Sequence, residues 1–390
     1  MSSFDEVTLS NDGSSVVIGV GARWGKVLSI LEAKGLAVAV GRASSVGVGG
    51  LTLGGGISFF APRYGFVSNT VLSYKIVLAS GSIVTASSST NRDLWRALKG
   101  GGNNYGIVTR ITVVTFPSSE IWAGFLYMPP SNASKVLSTF HEAINRTGHD
   151  INAAGPITCF SYTHQLRIEL ICVNLVYTKA LEGRKKWPEC WSPFKSMWTF
   201  WNNCKNRTLK NACDAMDDIC IANMRQVFGT TTIKNGPATI EFVYDRYKEV
   251  IATVKSVNIK GMCWTVVFQP ILPIWGHHSG ENPFGFDTTE PLVLVIFTVS
   301  WSEQRHDQIS EKLTRESIEK IDDFATKNGT GNRYRYLNYC GGWQRPFEGY
   351  GEDNLRFMQN VSRAYDPEGL IQKGCVGGFK LYMDNERLDN

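Results

Sequence analysis

The pattern of apolar and polar positions predicts short strands and helices in the amino-terminal part of the chain. Residues 16–20 have the β-branched composition of a strand, and residues 24–34 carry apolar side chains at helical spacing. Two further apolar runs, 74–78 and 83–85, are separated by the turn residues ASGS and predict a β-hairpin. Residues 93–99 return to helical spacing. This part of the chain is therefore predicted to be a mixed unit of helices and strands.

The pattern changes after residue 117, where glycine becomes rare and aromatic and β-branched residues become common. Strand-like runs at 166–176 and 263–268 alternate with helical stretches at 133–144 and 309–326. Such an order predicts a separate α+β unit in which an antiparallel sheet is backed by helices.

A third change comes at residue 334, where the run RYLNYCGGWQRPFEGYG leads into a helical stretch at 352–365. We therefore expect the chain to divide into three parts: 1–117, 118–332 and 333–390.

Composition limits the class of protein. With 390 residues, 43% hydrophobic and 19% charged, the chain resembles water-soluble globular proteins with more than one core. The net charge of +5 is spread along the sequence, so a nucleic-acid partner is not expected. No apolar stretch reaches the ~20 residues needed to span a bilayer, so no membrane partner is expected. The sequence carries no signal-peptide pattern, and its localisation is left open.

Glycine carries the candidate chemistry. Seven of the sixteen residues 41–56 are glycine (the first glycine cluster), and GGGNNYG at 100–106 forms a second glycine cluster. Backbone without Cβ atoms can approach a phosphate closely and direct N–H groups toward it. The spacing is neither that of a Walker A loop nor that of a Rossmann fingerprint opening a helix. The clusters thus predict an anion-binding loop, and a tight loop between strands is the alternative.

The two clusters also carry a family resemblance. GRASSVGVGGLTLGGGISFFAPRYGFVSNTVLSYKIVLASGSIV, DLWRALKGGGNNYGIVTR and the tail YLNY…YGEDNLRFMQNVSRAYDPEGLIQ resemble the PCMH-type FAD-binding domain of the vanillyl-alcohol oxidase superfamily. The match is best to its berberine-bridge-enzyme-like branch in fungal form, which works in secondary metabolism. The resemblance covers nearly the whole chain and is weakest from about 118 to 330. It implies an α+β fold with a partial FAD-binding domain at 1–117, a substrate domain at 118–332, and a carboxy-terminal segment at 333–390 that returns to the FAD domain.

The resemblance further implies an FAD-dependent oxidoreductase of the oxidase or dehydrogenase type. Such an enzyme oxidises a small organic metabolite by hydride transfer to flavin, with oxygen as the electron acceptor. The Trp and Phe content of the middle segment suits an apolar or aromatic substrate. Two rival hypotheses remain: a truncated, flavin-poor pseudoenzyme and a non-redox nucleotide-binding protein.

The resemblance also implies which residues form the site, wherever this sequence matches the motifs of the family. The implied FAD-binding residues are Ser45, Gly47, Val48, Gly49, Gly50, Leu51, Gly54, Gly55, Gly56, Gly106, Ile107, Val108 and Asn338. Tyr339 matches the catalytic base of related oxidases; a phenol in that role takes a proton from the substrate as hydride leaves. Arg333, Arg335 and Arg345 are close to it in sequence and are candidate cations for activating the phenol. The alternative is that Tyr339 is a buried strand tyrosine with a satisfied hydroxyl.

The sequence departs from the family where relatives attach FAD covalently. Ala43 occupies the position of the cysteine that many relatives use, and every histidine follows the glycine clusters. FAD is therefore expected to bind without a covalent link. The amino-terminal lobe of the FAD domain is expected to be missing, so the chain as written is expected to hold little FAD. No metal site is expected; the pair His277 and His278 has no third ligand nearby in sequence.

Overall fold

The computed structural model describes residues 1–146, 148–183, 186–218, 223–277, 281–285 and 289–382. Two compact units are formed, and each is built from discontinuous stretches of chain. The first unit comprises Met1–Ser118, His277–Phe286 and Arg345–Asn390. The second comprises Ser119–Gly276 and Asp287–Gln344.

Strands occur in both units. In chain order they are β1 (Val7–Leu9), β2 (Ser15–Gly19), β3 (Leu36–Ala37), β4 (Val71–Val77), β5 (Ile83–Ser87), β6 (Ile107–Val114), β7 (Phe116–Pro117), β8 (Ile121–Met128), β9 (Ala153–Thr163), β10 (Ile168–Tyr177), β11 (Trp201–Asn202), β12 (Lys205–Arg207), β13 (Arg225–Lys234), β14 (Cys263–Ile271), β15 (Leu292–Trp301) and β16 (Gly331–Asn332). The helices are α1 (Trp24–Glu32), α2 (Val48–Leu53), α3 (Ala61–Tyr64), α4 (Arg92–Leu98), α5 (Ala133–Ile144), α6 (Ser192–Lys195), α7 (Leu209–Asp217), α8 (Pro237–Val257), α9 (Ile274–His277), α10 (Asp307–Lys327), α11 (Glu352–Tyr365) and α12 (Leu370–Gly374).

The first unit is organised around a five-stranded antiparallel sheet in the order β1-β2-β6-β4-β5. The predicted hairpin is confirmed, since β4 pairs with β5 and Val77 lies opposite Ile83 across the turn. Helix α1 buries Trp24, Leu28 and Leu31, which share one face because they recur at helical spacing. Local sequence patterns therefore account for this sheet and its first helix.

The carboxy-terminal segment of the first unit is bonded to the second glycine cluster. The buried amide of Asn104 donates to the carbonyl oxygen of Phe379 at 3.0 Å. In return, Gln372 Nε2 donates to the backbone and side-chain oxygens of Asn104, both at 3.0 Å. Helix α11 also packs on α4, which precedes the cluster. Buried amides that satisfy one another in this way fix the backbone around the cluster.

The second unit is built on a nine-stranded antiparallel sheet, in the order β11-β8-β10-β9-β14-β15-β13-β16 with β12 also paired to β8. One face of the sheet packs against long helices. The ring of Phe140 in α5 lies 5.9 Å from that of Phe268 in β14, and Phe160 in β9 contacts Tyr247 of α8. The predicted α+β class, with an antiparallel sheet backed by helices, is thereby confirmed.

Two expectations differ from the structure. The second unit continues beyond residue 332 to Gln344, whose side chain bonds the backbone of Thr230 in β13. The alternative interpretation of Tyr339 as a strand tyrosine also differs from the structure: Leu337–Tyr339 forms a turn of 3₁₀ helix, in which the N–H groups of Tyr339 and Cys340 bond within the turn. In the part of the chain that the structure describes, no helix is both long and apolar enough to cross a membrane.

Candidate functional site

The first glycine cluster does not form the loop expected from its composition, since it contains the short helix α2. Gly47 precedes this helix with extended backbone (φ −70°, ψ 141°). The N–H of Val48 donates to the carbonyl oxygen of Ala22 at 2.9 Å. The N–H of Gly49 donates to that of Val20 at 3.2 Å. These two amides therefore anchor the cluster to its own unit instead of facing an anion.

Exposure separates the predicted cofactor-binding residues of this cluster into two sets. Ser45, Gly47 and Gly50 are exposed, and Leu51 is half-buried. The buried set comprises Val48, Gly49, Gly54, Gly55 and Gly56. We call Ser45, Gly47 and Gly50 the glycine edge. Among the predicted residues of the first cluster, the glycine edge is the part most open to a ligand arriving from solvent.

The glycines of the two sets are glycine for different reasons. A Cβ on Gly47 or Gly50 would meet no atom of the structure within 4 Å, and neither residue has a positive φ. In contrast, a Cβ on Gly49 would lie 2.9 Å from Cβ of Val20, and Gly55 has φ +100°. Packing and backbone conformation thus explain why Gly49 and Gly55 are glycine. The structure gives no internal reason for glycine at the edge, and the missing side chains leave room there for an external group.

The second glycine cluster lies directly beside the first, because the N–H of Gly102 donates to the carbonyl oxygen of Leu53 at 3.0 Å. Gly106 has φ +149°, and a Cβ there would collide with the backbone of β4. The next two residues begin β6: Ile107 is 51% exposed, whereas Val108 is 4% exposed. Of these three predicted FAD-binding residues, Ile107 presents its side chain to solvent and the other two shape the backbone.

Lys99, immediately before the second cluster, is a buried cation that the sequence analysis did not single out. Its side chain is 1% exposed, and its ammonium group lies 3.4 Å from the ring centroid of Trp95. Burial lowers the pKa of Lys99 from 10.5 to about 8, opposed by the carboxylate of Glu281. The charged form is therefore held at a cost in free energy near neutral pH.

Replacing Lys99 with methionine is expected to stabilise the protein at pH 7. The pKa of Lys99 is about 8 in the folded state and 10.5 in the unfolded state. The destabilisation caused by burying the charged ammonium group is therefore complete below pH 8 and disappears as the pH rises to 10.5. Lys99→Met should raise the free energy of unfolding by on the order of 1–3 kcal/mol at pH 7, and much less at pH 10. Urea denaturation at both pH values measures the difference, with the exposed Lys75→Met as control. A loss of stability in Lys99→Met at pH 7 would contradict the prediction.

Asn338 and Tyr339 belong to the second unit, where they join one hydrogen-bonded group. The half-buried Tyr339 donates its hydroxyl hydrogen to Oε1 of Gln269 at 3.2 Å. Its ring meets that of Tyr336 edge to face, with centroids 4.7 Å apart and planes at 81°. Asn338 donates from Nδ2 to the hydroxyl oxygen of Tyr336 at 3.0 Å. The two predicted residues are therefore brought together through Tyr336.

Gln269 is a candidate functional residue that the sequence analysis missed. It is 2% exposed and follows Phe268, whose ring faces helix α5. Because successive side chains of a strand point to opposite faces, Gln269 lies on the sheet face opposite to the long helices. Tyr339 reaches that same face through its hydrogen bond. A single glutamine within the apolar strand sequence VVFQPI was the available signal.

The same face of the sheet carries a row of aromatic and thiol side chains. The strand register places in one row, across five neighbouring strands, Trp201, Tyr127, Cys172, Cys159 and Val267. Trp201 is 62% exposed and stacks on Tyr127 with ring centroids 5.8 Å apart. Burial, together with the neighbouring thiol of Cys172, raises the pKa of Tyr127 to about 12. The raised pKa disfavours the phenolate that a base requires, so we assign Tyr127 a role as a ring surface.

Of the three arginines near Tyr339 in sequence, Arg335 is already paired. Arg335 pairs with the carboxylate of Asp322 at 2.8 Å and donates to the backbone oxygen of Asn332 at 2.7 Å. Arg333 and Arg345 are exposed. The charge of Arg335 is thus already balanced by a carboxylate, which weakens its candidacy as the activator of Tyr339.

Metal ligation is not supported by the described residues, among which no group of three or more His, Cys, Asp or Glu side chains could hold an ion. The side chains of His277 and His278 lie outside the described residues.

Comparison with known proteins gives matches to flavoproteins. Residues 1–87 match the model of the FAD binding domain family. FAD-dependent monooxygenase drtC of Aspergillus calidoustus is 30% identical over 372 residues, which cover 94% of this chain and 70% of the relative.

Solved structures agree with the fold. 6-Hydroxy-D-nicotine oxidase from Arthrobacter nicotinovorans superposes with a TM-score of 0.76 at 20% identity, covering 95% of this chain and 79% of that one. BBE-like 1 from Physcomitrella patens gives a TM-score of 0.73 at 17% identity, with coverage of 95% and 79%. At this level of identity both matches support the fold alone. The fungal relative, at 30% identity and with 70% of its length covered, completes the evidence: the chain belongs to the fungal FAD-linked oxidoreductases with an FAD binding domain, and it has the same fold as BBE-like 1.

Proposed function

We propose that this enzyme oxidises a small organic metabolite with an apolar or aromatic part, by hydride transfer from a C–H bond to FAD. FAD binds at the glycine edge without a covalent link, Tyr339 accepts the proton released by the substrate, and oxygen regenerates the oxidised flavin. The observation that carries this proposal is the hydrogen bond from Tyr339 to Gln269, which orients a phenol on the sheet face away from the long helices.

The glycine edge suits a flavin dinucleotide because it presents open backbone at two positions, and the packing of the protein does not explain why these positions are glycine. Gly47 and Gly50 allow an external group to approach the backbone, and Ser45 adds a hydroxyl beside them. When bound, FAD supplies a two-electron acceptor. We assign a supporting role to the buried residues proposed for the site, which shape the backbone that holds this edge: Val48, Gly49, Gly54, Gly55, Gly56, Gly106 and Val108. Leu51 and Ile107 contribute apolar contact, and Asn338 contributes its amide to the flavin ring.

Tyr339 handles the proton. Oxidation of an alcohol or amine removes a hydride from carbon and a proton from the adjacent oxygen or nitrogen, so the proton needs an acceptor as the C–H bond breaks. In the proposal, Tyr339 first releases its own proton to solvent, which can reach its half-buried side chain, and the substrate proton then passes to the phenolate oxygen. In the protonated form the Tyr339 hydroxyl donates to Oε1 of Gln269 at 3.2 Å, and this hydrogen bond orients the oxygen. Because the Gln269 side chain is 2% exposed, bulk water competes little for this hydrogen bond.

The row that includes Trp201 and Tyr127 supports an apolar or aromatic substrate. Two stacked rings at the edge of the sheet offer a flat surface on which a planar group can pack. The row continues to Val267, two residues before Gln269 on the same face of β14. An aromatic substrate lying along the row would therefore be directed toward Tyr339.

The proposal predicts that the purified protein, loaded with FAD, releases its flavin into the supernatant on acid precipitation. Ala43 offers no thiol for attachment. A matched control is Ala43→Cys, which restores the cysteine of relatives and should retain flavin in the pellet. Flavin retained by the unchanged protein would contradict non-covalent binding and would direct attention to Cys375, which lies against Asn103 of the second glycine cluster.

The loaded protein should then lose its visible flavin absorbance when mixed anaerobically with an oxidisable substrate. A panel of primary alcohols and amines, each with an aliphatic and an aromatic version, identifies the class, and aromatic members should be preferred. Readmission of ¹⁸O₂ separates two fates of oxygen, since an oxidase releases labelled peroxide. Labelled oxygen in the product would instead indicate monooxygenase chemistry, the activity in the name of the Aspergillus relative. A protein that binds FAD but is reduced by no member of the panel would contradict the proposal.

A further inference from the structure

The segment Glu281–Gly285, which we call the clip, lies in the sequence between β14 and β15 of the second unit but packs as part of the first. Its central residue, Phe284, is fully buried. The ring lies 4.5 Å from that of Phe66, centroid to centroid, and meets Tyr350 edge to face at 5.4 Å. A mid-chain aromatic side chain thus forms part of the core of the first unit.

Both glycine clusters are shaped around this ring. Gly55 has φ +100°, and a Cβ there would lie 2.7 Å from Cζ of Phe284. Gly100 has φ +151°, and a Cβ there would overlap the same ring. Steric exclusion by Phe284, in addition to the positive φ angles, therefore explains why both positions are glycine. Phe284 is a packing partner that the two clusters share.

Polar contacts hold the clip in place on both sides of the ring. Oε2 of Glu281 accepts from Nε of Arg92 at 3.0 Å, at the start of α4. Asn282 donates to Oδ1 of Asn69 at 3.4 Å and accepts the N–H of Phe284 at 3.1 Å. Because exposed ion pairs contribute little, the buried ring is the main anchor of the clip, and the polar contacts orient it.

The ring is also connected to the second cluster through Tyr350. The Tyr350 hydroxyl donates to the carbonyl oxygen of Gly100 at 3.1 Å while its ring contacts Phe284. Gly100 is thus held by the ring on one side and by a hydrogen bond on its carbonyl. Removing the ring would leave a cavity beside a glycine with many accessible backbone conformations.

We infer that Phe284 is a positioning residue for cofactor binding: it fixes Gly55 and Gly100, and through them helix α2 and the glycine edge. The inference rests on the proposed assignment of the glycine edge to FAD. A cofactor that binds a preformed edge meets little ordering cost, whereas an edge that must first be ordered binds more weakly. The clip therefore tunes FAD affinity without touching the cofactor.

Amide hydrogen exchange on flavin-free protein and FAD titration, applied to Phe284→Ala and Phe284→Leu, test this inference. Phe284→Ala should increase exchange at residues 50–56 and 100–106 more than in the five-stranded sheet. It should also raise the dissociation constant for FAD about 10- to 100-fold, with Phe284→Leu in between. The matched control is Leu31→Ala, a fully buried position of α1 in the same unit, which should lose stability with little change in FAD affinity.

The inference is overturned if exchange in the two clusters is unchanged in Phe284→Ala, or if FAD affinity falls no further than in Leu31→Ala. If Phe284→Ala fails to fold, hydrogen exchange and FAD titration are both measured on Phe284→Leu. Hydrogen exchange is measured on flavin-free protein and so does not depend on cofactor binding. If the wild-type protein does not bind FAD, the proposed function fails, while exchange still decides whether Phe284 orders the clusters.

Discussion

Replacing Tyr339 with phenylalanine is expected to slow the reduction of FAD by substrate about 10²–10⁴-fold, the usual contribution of a general base. The change removes one hydroxyl group and keeps the ring, so the edge-to-face contact with Tyr336 is preserved. The hydrogen bond to the buried Gln269 is lost, which should cost about 1–2 kcal/mol of stability. That is a small part of the stability of a domain, so the protein should still fold and bind FAD. Anaerobic stopped-flow measurement of flavin reduction gives the rate directly.

Tyr127→Phe is the matched control, because it removes a phenolic hydroxyl from the same face of the same sheet. Because the pKa of Tyr127 is raised to about 12, its phenolate forms less readily than that of an unperturbed tyrosine, and Tyr127 is not the proposed base. Loss of its hydroxyl should affect the reduction rate less than about tenfold. A reduction rate in Tyr339→Phe within tenfold of wild type would return Tyr339 to a structural role and leave the base unidentified.

Gly50→Ala and Gly55→Ala are expected to have opposite effects, although both add one methyl group to the first glycine cluster. Gly50 lies in helix α2 with open space where a Cβ would be. Alanine favours a helix by up to ~1 kcal/mol over glycine, so Gly50→Ala should leave the flavin-free protein as stable as wild type or more so. If FAD approaches the backbone at this position, the methyl group should weaken FAD binding about 10- to 100-fold.

Gly55→Ala should instead prevent or weaken folding. The position has φ +100°, and the added Cβ would lie 2.7 Å from the buried ring of Phe284. Strain at such a φ and overpacking each cost ~1–3 kcal/mol, a large part of the stability of an ordinary domain. Urea denaturation of flavin-free protein and fluorescence titration with FAD measure both variants. Unchanged FAD affinity in Gly50→Ala would show that the open space at the glycine edge is not a cofactor contact.

Features governed by local sequence were predictable to within a few residues. The hairpin β4–β5 follows from two β-branched runs around ASGS, and α5 and α11 begin and end where their apolar spacing begins and ends. The family resemblance, which rests on long motifs around the glycine clusters, indicated the flavoprotein class before any contact was known. The alternative of a strand at Tyr339 was wrong because the N–H groups there bond within their own turn, an outcome that composition does not indicate.

The roles of residues within the candidate site were less predictable. The sequence alone does not distinguish a glycine with open space beside it from a glycine packed against another side chain. At Gly47 and Gly50 that space is open, whereas at Gly55 and Gly100 it is filled by Phe284, far away in sequence. Gln269 likewise became a candidate site residue only because the fold brings the hydroxyl of Tyr339 within hydrogen-bond distance of it. By itself, the sequence determined the local elements, the class of fold and the flavoprotein family, since these depend on short-range patterns and motifs. Only the tertiary structure decided which glycines have open space beside them, which glycines pack against Phe284 and which side chain orients the candidate base, because those properties belong to contacts between distant parts of the chain.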